Sequence, residues 1–419
     1  MFSNFSTKRV SFQQFCNKAA FFCAVSFMIF IPSSTALMNV FIFLTLVFYL
    51  LAGNLKHNLK IAFQNRVSQA ALILFFFLLV SSSWSIDSSE SFDILKKYNE
   101  LWYIALMLPF FDSDRRRNIG INAYLISMSV VLFGVYIMFF GLILPIEYTF
   151  KGNSHHFNID GGFASHILTN ILMAFAMFIA AQKIIVSKLL LKIPYSLFFV
   201  FSFYYVLFIS TGTSGQILAI SLLMLFIVQH TGVRSALIIP VMIAIIVLLS
   251  FSNENNSMRF AVEKMYVRYH HLVSTDTAGN NTRPRIYIHA IKLVRDKPLL
   301  GTGIGSYEEA LRTKQPEFYK ATTVARKNPH NEFLMISVQT GLIGLILLLF
   351  LFYRQASSTE RISNKEYKYI AQGLVVLIII GCMGNSMILD SREGHFWAFF
   401  SALLFSTLID DKIKKTIQN

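Results

Sequence analysis

The strongest local signal in the sequence is a histidine, His330, which stands with Pro329 and Asn331 directly before a long apolar run. The pKa of an imidazole lies near neutrality, so a histidine at a membrane edge can act as a general base or hold an oxyanion. Such a residue would meet a lipid-linked head group where it reaches water. A histidine that only caps a helix or lines the interface is the alternative interpretation, and the spacing taken by itself favours that alternative.

Two arginines, Arg283 and Arg285, lie at the start of a predicted helix and are candidates for binding an anion. Guanidinium groups donate bidentate, charge-assisted hydrogen bonds that suit diphosphates. Solvated surface charge is the alternative for each of them. The glycine run that contains Gly301 and Gly303 could present backbone N–H groups to phosphate, although a turn after the preceding proline explains these glycines almost as well. No strand pattern precedes the run, so we reject a dinucleotide-binding fold.

No pattern in the sequence predicts a metal site. The three cysteines have no metal or disulfide spacing, and no His-Glu-x-x-His motif occurs. His155 and His156 are adjacent, so they cannot both face one site in a regular helix or strand. Their loop also carries Asp160, and it is expected to face the same side as the loop that contains the arginines. The absence of a paired-Asp motif fits a donor whose leaving group is a lipid diphosphate neutralised by arginine.

The composition predicts a membrane protein. Of 419 residues, 55% are hydrophobic and only 14% are charged, whereas a soluble domain is usually about a quarter charged. A transmembrane helix needs roughly 20 mostly apolar residues. The apolar runs therefore predict an all-α polytopic membrane protein of about twelve spans. The candidate spans lie near 19–34, 36–52, 69–85, 101–111, 119–146, 164–183, 193–210, 215–230, 234–251, 331–353, 367–388 and 395–410.

The distribution of Lys and Arg orients these spans. With the N-terminus inside, the inner loops are rich in basic residues and the outer loops are poor in them, as the positive-inside rule requires. One outer loop, residues 252–330, is instead strongly basic. Long loops escape the charge rule, and an anionic partner at the outer membrane face is the simplest explanation of the excess. A merely soluble basic loop is the alternative. We expect helices within it at 258–273 and 284–296, the second ending before Pro298.

The predicted organisation has three parts. Residues 1–251 form spans 1 to 9, residues 252–330 form one large, mostly helical periplasmic loop, and residues 331–419 form spans 10 to 12 with a cytoplasmic tail. The net charge of +15 would suggest nucleic acid in a soluble protein. Here the basic residues map to the loops of a membrane protein, so no nucleic-acid partner is expected.

Together these features resemble the O-antigen ligase family of the bacterial inner membrane, part of a wider ligase and polymerase superfamily. The first family pattern is His-Asn, nine residues, then Gly-x-x-Gly, and it is matched by His330, Asn331, Gly341 and Gly344. The second is an Arg, an aromatic residue four positions on, and a Pro-led glycine turn about fifteen positions on. It is matched by Arg283, Tyr287, Pro298, Gly301 and Gly303. Arg285, two positions after Arg283, is the second choice for the arginine of this pattern.

The resemblance implies a metal-independent glycosyltransferase of lipopolysaccharide biosynthesis that uses no cofactor. It would transfer undecaprenyl-diphosphate-linked O-antigen polysaccharide to lipid A–core oligosaccharide, among membrane lipids and on the periplasmic face of the inner membrane. His330 would assist the acceptor hydroxyl, and Arg283 would stabilise the charge that develops on the diphosphate. The residues expected to bind substrate are Arg285, Asn331, Gly301 and Gly303.

One position departs from the family pattern. Members often carry a Ser/Thr-Arg-Gly step at the outer start of the span near 215, and Ser214 stands here at the place of that Arg. Either a basic residue from another loop replaces it, or the substrate is held differently. An O-antigen polymerase or a protein O-oligosaccharyltransferase is the alternative within the same class. A lipid-linked oligosaccharide flippase or transporter is the alternative from another class, but the spans show few charged residues and no repeat.

Overall fold

The computed structural model describes residues 2–143, 146–150, 153–157, 159–232, 241, 245 and 282–408. These residues form sixteen α-helices and one β-hairpin. The helices are α1 (Phe2–Phe30), α2 (Thr35–Leu51), α3 (Leu55–Gln64), α4 (Arg66–Ser81), α5 (Ser88–Lys97), α6 (Glu100–Met107), α7 (Asp114–Phe139), α8 (His166–Val186), α9 (Leu189–Tyr204), α10 (Thr213–Thr231), α11 (Arg283–Asp296), α12 (Tyr307–Lys314), α13 (Pro316–Ala321), α14 (Glu332–Thr359), α15 (Lys365–Gly384) and α16 (Ser391–Phe405). Apart from residues 241 and 245, the predicted ninth span lies outside the described residues, as does the predicted loop helix 258–273.

The architecture is that of a multi-pass membrane protein. In the described part of the chain, seven helices are long and apolar enough to cross a membrane, and the bent pair α2 and α3 would make an eighth. The expected count of about twelve spans is therefore not confirmed. The expected span at 101–111 is divided between α6 and a 3₁₀ turn at Leu108–Phe111. The last expected span is α16, which continues as a 3₁₀ turn to Leu408.

One hairpin departs from the all-α prediction. Strand β1 (Ile146–Phe150) pairs antiparallel with β2 (Asn153–Phe157), with Glu147 opposite His156 and Tyr148 opposite His155. The prediction missed it because each strand is only five residues long. Strands this short inside a loop give only a weak alternating signal.

The helices that carry the candidate site residues meet at one end of the bundle. Helix α14 packs against α4, α11 and α15, and α15 in turn contacts α8, α10 and α16. The end of the bundle where α14 begins is called here the His330 end. The N-terminus of α11, the N-terminus of α10 and the C-terminus of α15 also lie there, as the contacts described below establish.

Candidate functional site

Helix α11 forms one wall of the candidate site. It spans Arg283–Asp296, so the helix predicted at 284–296 is confirmed, and it stops two residues before Pro298. Its buried face carries Ile286, Ala290 and Leu293 and packs on the first part of α14. One turn after Arg283, the hydroxyl of Tyr287 donates to the carbonyl oxygens of His330 at 3.2 Å and Met383 at 2.8 Å. Tyr287 therefore ties α11 both to the histidine and to the end of α15.

His330 has an unusual backbone that its neighbours hold in place. Its φ is 54°, the one positive φ among the non-glycine residues that the structure describes. Such a conformation costs free energy and persists where the surroundings fix it. The backbone N–H of His330 donates to Asn328 Oδ1 at 2.7 Å. The next residue, Asn331, caps α14 by accepting the Leu334 N–H at 3.0 Å, and its side-chain nitrogen donates to the Met383 carbonyl at 2.9 Å. Both polar atoms of the Asn331 side chain are thus engaged within the protein.

The surroundings of the His330 imidazole lower its pKa. Its Nε2 atom is buried and has no hydrogen-bond partner among the described residues. Burial lowers the pKa of His330 below its ordinary value, and the positive charge of Arg283 lowers it further. Hydrogen bonds with the Val324 backbone and the Asn385 side chain act in the opposite direction. The neutral imidazole therefore predominates at pH 7, which is the form that a general base requires.

The structure distinguishes Arg283 from Arg285. A Cβ placed on Gly384, the last residue of α15, would lie 3.0 Å from Arg283 Nη1 and 4.0 Å from Ser214 Oγ. Arg283 and Ser214 thus flank the space that this glycine leaves open, and the charge of Arg283 also acts on His330. Arg285 lies elsewhere on α11, where its charge acts on His289. The described contacts therefore associate Arg283 with both Ser214 and His330, and Arg285 with His289.

The turn that carries Ser214 is held by two residues that sequence reasoning did not assign. The Asp160 carboxylate accepts the Thr211 N–H at 2.7 Å through Oδ1 and the Thr211 hydroxyl at 2.6 Å through Oδ2. Asn170 on α8 donates to the Gly212 carbonyl at 3.1 Å. The sequence placed Asp160 in a loop facing the site, but nothing in it linked that loop to a turn about fifty residues later.

Gly301 and Gly303 serve packing rather than an open anion-binding loop. The Gly301 N–H donates to the Lys297 carbonyl at 3.1 Å, and the Gly303 N–H donates to the Gln339 carbonyl at 2.7 Å. Both glycines have positive φ, 64° and 92°. A Cβ on Gly301 would lie 2.5 Å from the backbone nitrogen of Thr340. The expectation that these two N–H groups bind phosphate is corrected accordingly, because protein carbonyls already accept them.

This glycine loop docks into a break in α14. The break is at Gly341, whose φ of 65° and ψ of −161° are not helical. The Leu342 N–H donates to the Pro298 carbonyl at 2.8 Å instead of to its own helix. A Cβ on Gly341 would overlap the Leu299 carbonyl. The nine residues between Asn331 and Gly341 are thus the helical turns that separate the helix cap from the docking point.

Buried carboxylates are a further feature that the sequence did not reveal. Glu100, Glu332 and Glu393 are all buried in the described part of the bundle, and each stands in the first turn of its helix. Glu100 Oε1 lies 2.9 Å from His395 Nδ1, whereas Glu332 follows directly after Asn331. In the same described ranges, no group of three or more His, Cys, Asp or Glu side chains is arranged to hold a metal ion.

The fold and the site define a helical multi-pass membrane protein with a histidine and an arginine meeting at one end of the bundle. The O-antigen ligase family model matches residues 197–349. The match covers less than half of the chain but includes Ser214, Arg283, His330 and the break at Gly341. The predicted resemblance is thereby confirmed. Members of the family are glycosyltransferase-like ligases and polymerases. Comparison with curated proteins gave no match.

Proposed function

We propose that this protein is an O-antigen ligase of lipopolysaccharide biosynthesis. It transfers O-antigen polysaccharide from undecaprenyl diphosphate to the lipid A–core oligosaccharide, without a metal or a cofactor. The observation that carries the proposal is the buried Nε2 of His330, which has no hydrogen-bond partner among the described residues and lies within range of the positive charge of Arg283. A base next to a cation suits a reaction in which a hydroxyl loses a proton while a diphosphate leaves.

In the proposed reaction, the acceptor hydroxyl of the core attacks the anomeric carbon of the polysaccharide. The new C–O bond forms as the bond to the diphosphate oxygen breaks, and the hydroxyl proton passes to His330 Nε2. Arg283 stabilises the negative charge that develops on the departing undecaprenyl diphosphate. Ser214 lies beside Arg283 and is a second donor for that group. Arg285 remains a reserve contact for substrate, and Asn331 acts by capping α14 and holding Met383.

The proposed location is the bacterial inner membrane, with the His330 end facing the periplasm. The charge of the short loops supports this orientation, because the basic ones fall on the opposite side from His330, and the long basic loop 252–330 escapes the charge rule. Both substrates carry lipid anchors, and the site lies where helices α10, α14 and α15 end or begin. The substrates can therefore reach it from the membrane.

Loss of the gene in its host is the first test. A ligase mutant accumulates bare core and long polymer stranded on its lipid carrier. A polymerase mutant instead makes core that bears a single unit. A mutant of a protein O-oligosaccharyltransferase leaves lipopolysaccharide unchanged, and a transporter mutant builds no polymer on the outer face. Any of these last three outcomes contradicts the ligase assignment.

Complementation then tests the site. His330→Ala is expected to abolish core capping while the protein remains in the membrane at its normal amount. The matched control is His57→Ala, at an exposed histidine on α3, which is expected to restore capping fully. Full capping by His330→Ala would remove the catalytic role of this residue.

A further inference from the structure

Glu332 is a fully buried carboxylate at the edge of the candidate site. It lies in the first turn of α14, two residues after His330, and its exposed fraction is 0%. Its described hydrogen bonds come from a hydroxyl and two backbone amides, and no ion pair with Lys, Arg or His is found among the residues that the structure describes. A buried carboxylate is costly unless its oxygens are well bonded. The hydrogen-bond partners of Glu332 therefore indicate which segments of the chain this carboxylate holds together.

Those bonds join three segments of the chain. Glu332 Oε1 accepts the hydroxyl of Tyr98, at the end of α5, at 2.9 Å. Glu332 Oε2 accepts the backbone N–H groups of Ile388 at 3.0 Å and Leu389 at 3.2 Å. The last two belong to the loop 385–390, which connects α15 to α16. Two oxygens thus satisfy three buried donors.

The loop 385–390 also contacts the His330 segment directly. Its first residue, Asn385, hydrogen-bonds to the His330 side chain. The hydroxyl of Ser386 donates to Asn328 Oδ1 at 2.7 Å, the same atom that accepts the His330 N–H. Asn328 therefore anchors the start of the loop, and Glu332 anchors its second half. Both anchors lie within two residues of His330.

We propose that Glu332 is a positioning residue for His330. It fixes the loop 385–390 so that Asn385 keeps the imidazole oriented towards the acceptor hydroxyl. The inference rests on the proposed role of His330 and adds to it the means by which the imidazole is held. Removing the carboxylate leaves two buried N–H groups and a buried hydroxyl without an acceptor, so the loop is expected to move in order to satisfy them.

A set of substitutions separates the hydrogen bonds from the charge. Glu332→Ala removes all three bonds. Glu332→Gln keeps an oxygen for the two N–H groups and can offer its amide to the Tyr98 oxygen. Glu332→Asp keeps the charge but is shorter by one methylene, so it reaches the loop less well. Tyr98→Phe removes one bond and leaves the loop anchored.

Hydrogen–deuterium exchange of the full-length protein in nanodiscs tests the anchor without relying on activity. In Glu332→Ala the peptide covering 385–390 is expected to exchange at least about tenfold faster, whereas peptides from α8 stay unchanged. Glu332→Gln and Tyr98→Phe are expected to stay within about twofold of the wild type. An unchanged exchange rate in Glu332→Ala would overturn the proposal. If Glu332→Ala does not accumulate, the same peptide in Glu332→Asp is expected to exchange faster than in the wild type, by a smaller factor. An unchanged exchange rate in Glu332→Asp would then count equally against the proposal.

Transfer kinetics test whether the anchor serves His330. Glu332→Ala is expected to lower kcat at least about tenfold while KM for the lipid-linked donor stays within about twofold, because the loop orients the base rather than binding the donor. Faster exchange with an unchanged kcat would refute the positioning role. So would a Glu332→Gln variant whose loop is protected but whose kcat falls as far as that of Glu332→Ala. A wild-type protein that transfers nothing would instead contradict the proposed function. The exchange experiment would still test whether Glu332 holds the loop 385–390 in place.

Discussion

Replacement of Gly341 by alanine perturbs the point where the two sequence motifs meet. The glycine has φ 65° and ψ −161°, a region that is essentially restricted to glycine and costs other residues about 1–3 kcal/mol. The new Cβ would also lie 2.6 Å from the Leu300 nitrogen and overlap the Leu299 carbonyl. These are backbone atoms, so no flexible side chain can move aside, and overpacking of this kind costs about 1–3 kcal/mol.

The two costs act in the same direction as helix propensity. Alanine favours a continuous helix by about 1 kcal/mol over glycine, whereas the native α14 is broken at this residue. Backbone strain, overpacking and helix propensity together disfavour the docked loop by about 3–7 kcal/mol. The equilibrium constant for docking therefore falls at least about a hundredfold. We expect Gly341→Ala to straighten α14, release the loop around Pro298 and displace the first turns that carry His330.

The assay is the thermal stability of the purified protein, measured together with its rate of polysaccharide transfer. Gly141→Ala is the matched control, because Gly141 also has a positive φ of 72° but meets no described atom within 4 Å at its Cβ. The control is expected to lose only about 1–2 kcal/mol from backbone strain and to keep its activity. If Gly341→Ala matches Gly141→Ala in both stability and transfer, the docking of the loop does not position the site.

Two further predictions concern the contacts of His330. Arg283→Gln is expected to slow transfer about 10²–10³-fold. Because its cation helps to hold the pKa of His330 below the ordinary value, its loss raises that pKa and moves the acidic limb of the single-turnover pH profile to higher pH. Arg295→Gln, at an exposed position on the same helix, is expected to change neither, and an unmoved limb in Arg283→Gln would contradict the proximity of the two groups. Tyr287→Phe removes the hydroxyl bonded to the His330 and Met383 carbonyls, so steady-state transfer is expected to fall about fivefold for about 1 kcal/mol. Wild-type transfer by Tyr287→Phe would show that α11 does not position the histidine.

Local patterns in the sequence predicted the helical elements around the site. The start of α14 follows from the apolar run that was predicted to span 331–353, whereas Asn331, assigned to substrate binding from the sequence, proves to cap that helix. The helix α11 follows from its apolar periodicity and the proline that comes after it. Arg283 and Tyr287 are four residues apart, and in a helix that spacing places both side chains on one face.

Contacts between distant segments were not predictable in the same way. Nothing local indicates that Gly301 and Gly341 lie against each other. The sequence was therefore compatible with an anion-binding loop, whereas in the structure the N–H groups of Gly301 and Gly303 donate to protein carbonyls. Glu332 resembled an ordinary acidic residue at a helix start, but its partners come from Tyr98 and the loop 385–390. The surroundings of the two arginines were not predictable either: the charge of Arg283 acts on His330, whereas that of Arg285 acts on His289.

The most direct test of the central claim is transfer in a purified system. Lipid-linked polymer, rough lipopolysaccharide and the full-length protein are combined in the presence of a chelator, and polymer attached to core is measured. We expect transfer by the wild type, transfer by His57→Ala and none by His330→Ala. No transfer by the wild type, or equal transfer by His330→Ala, would contradict it.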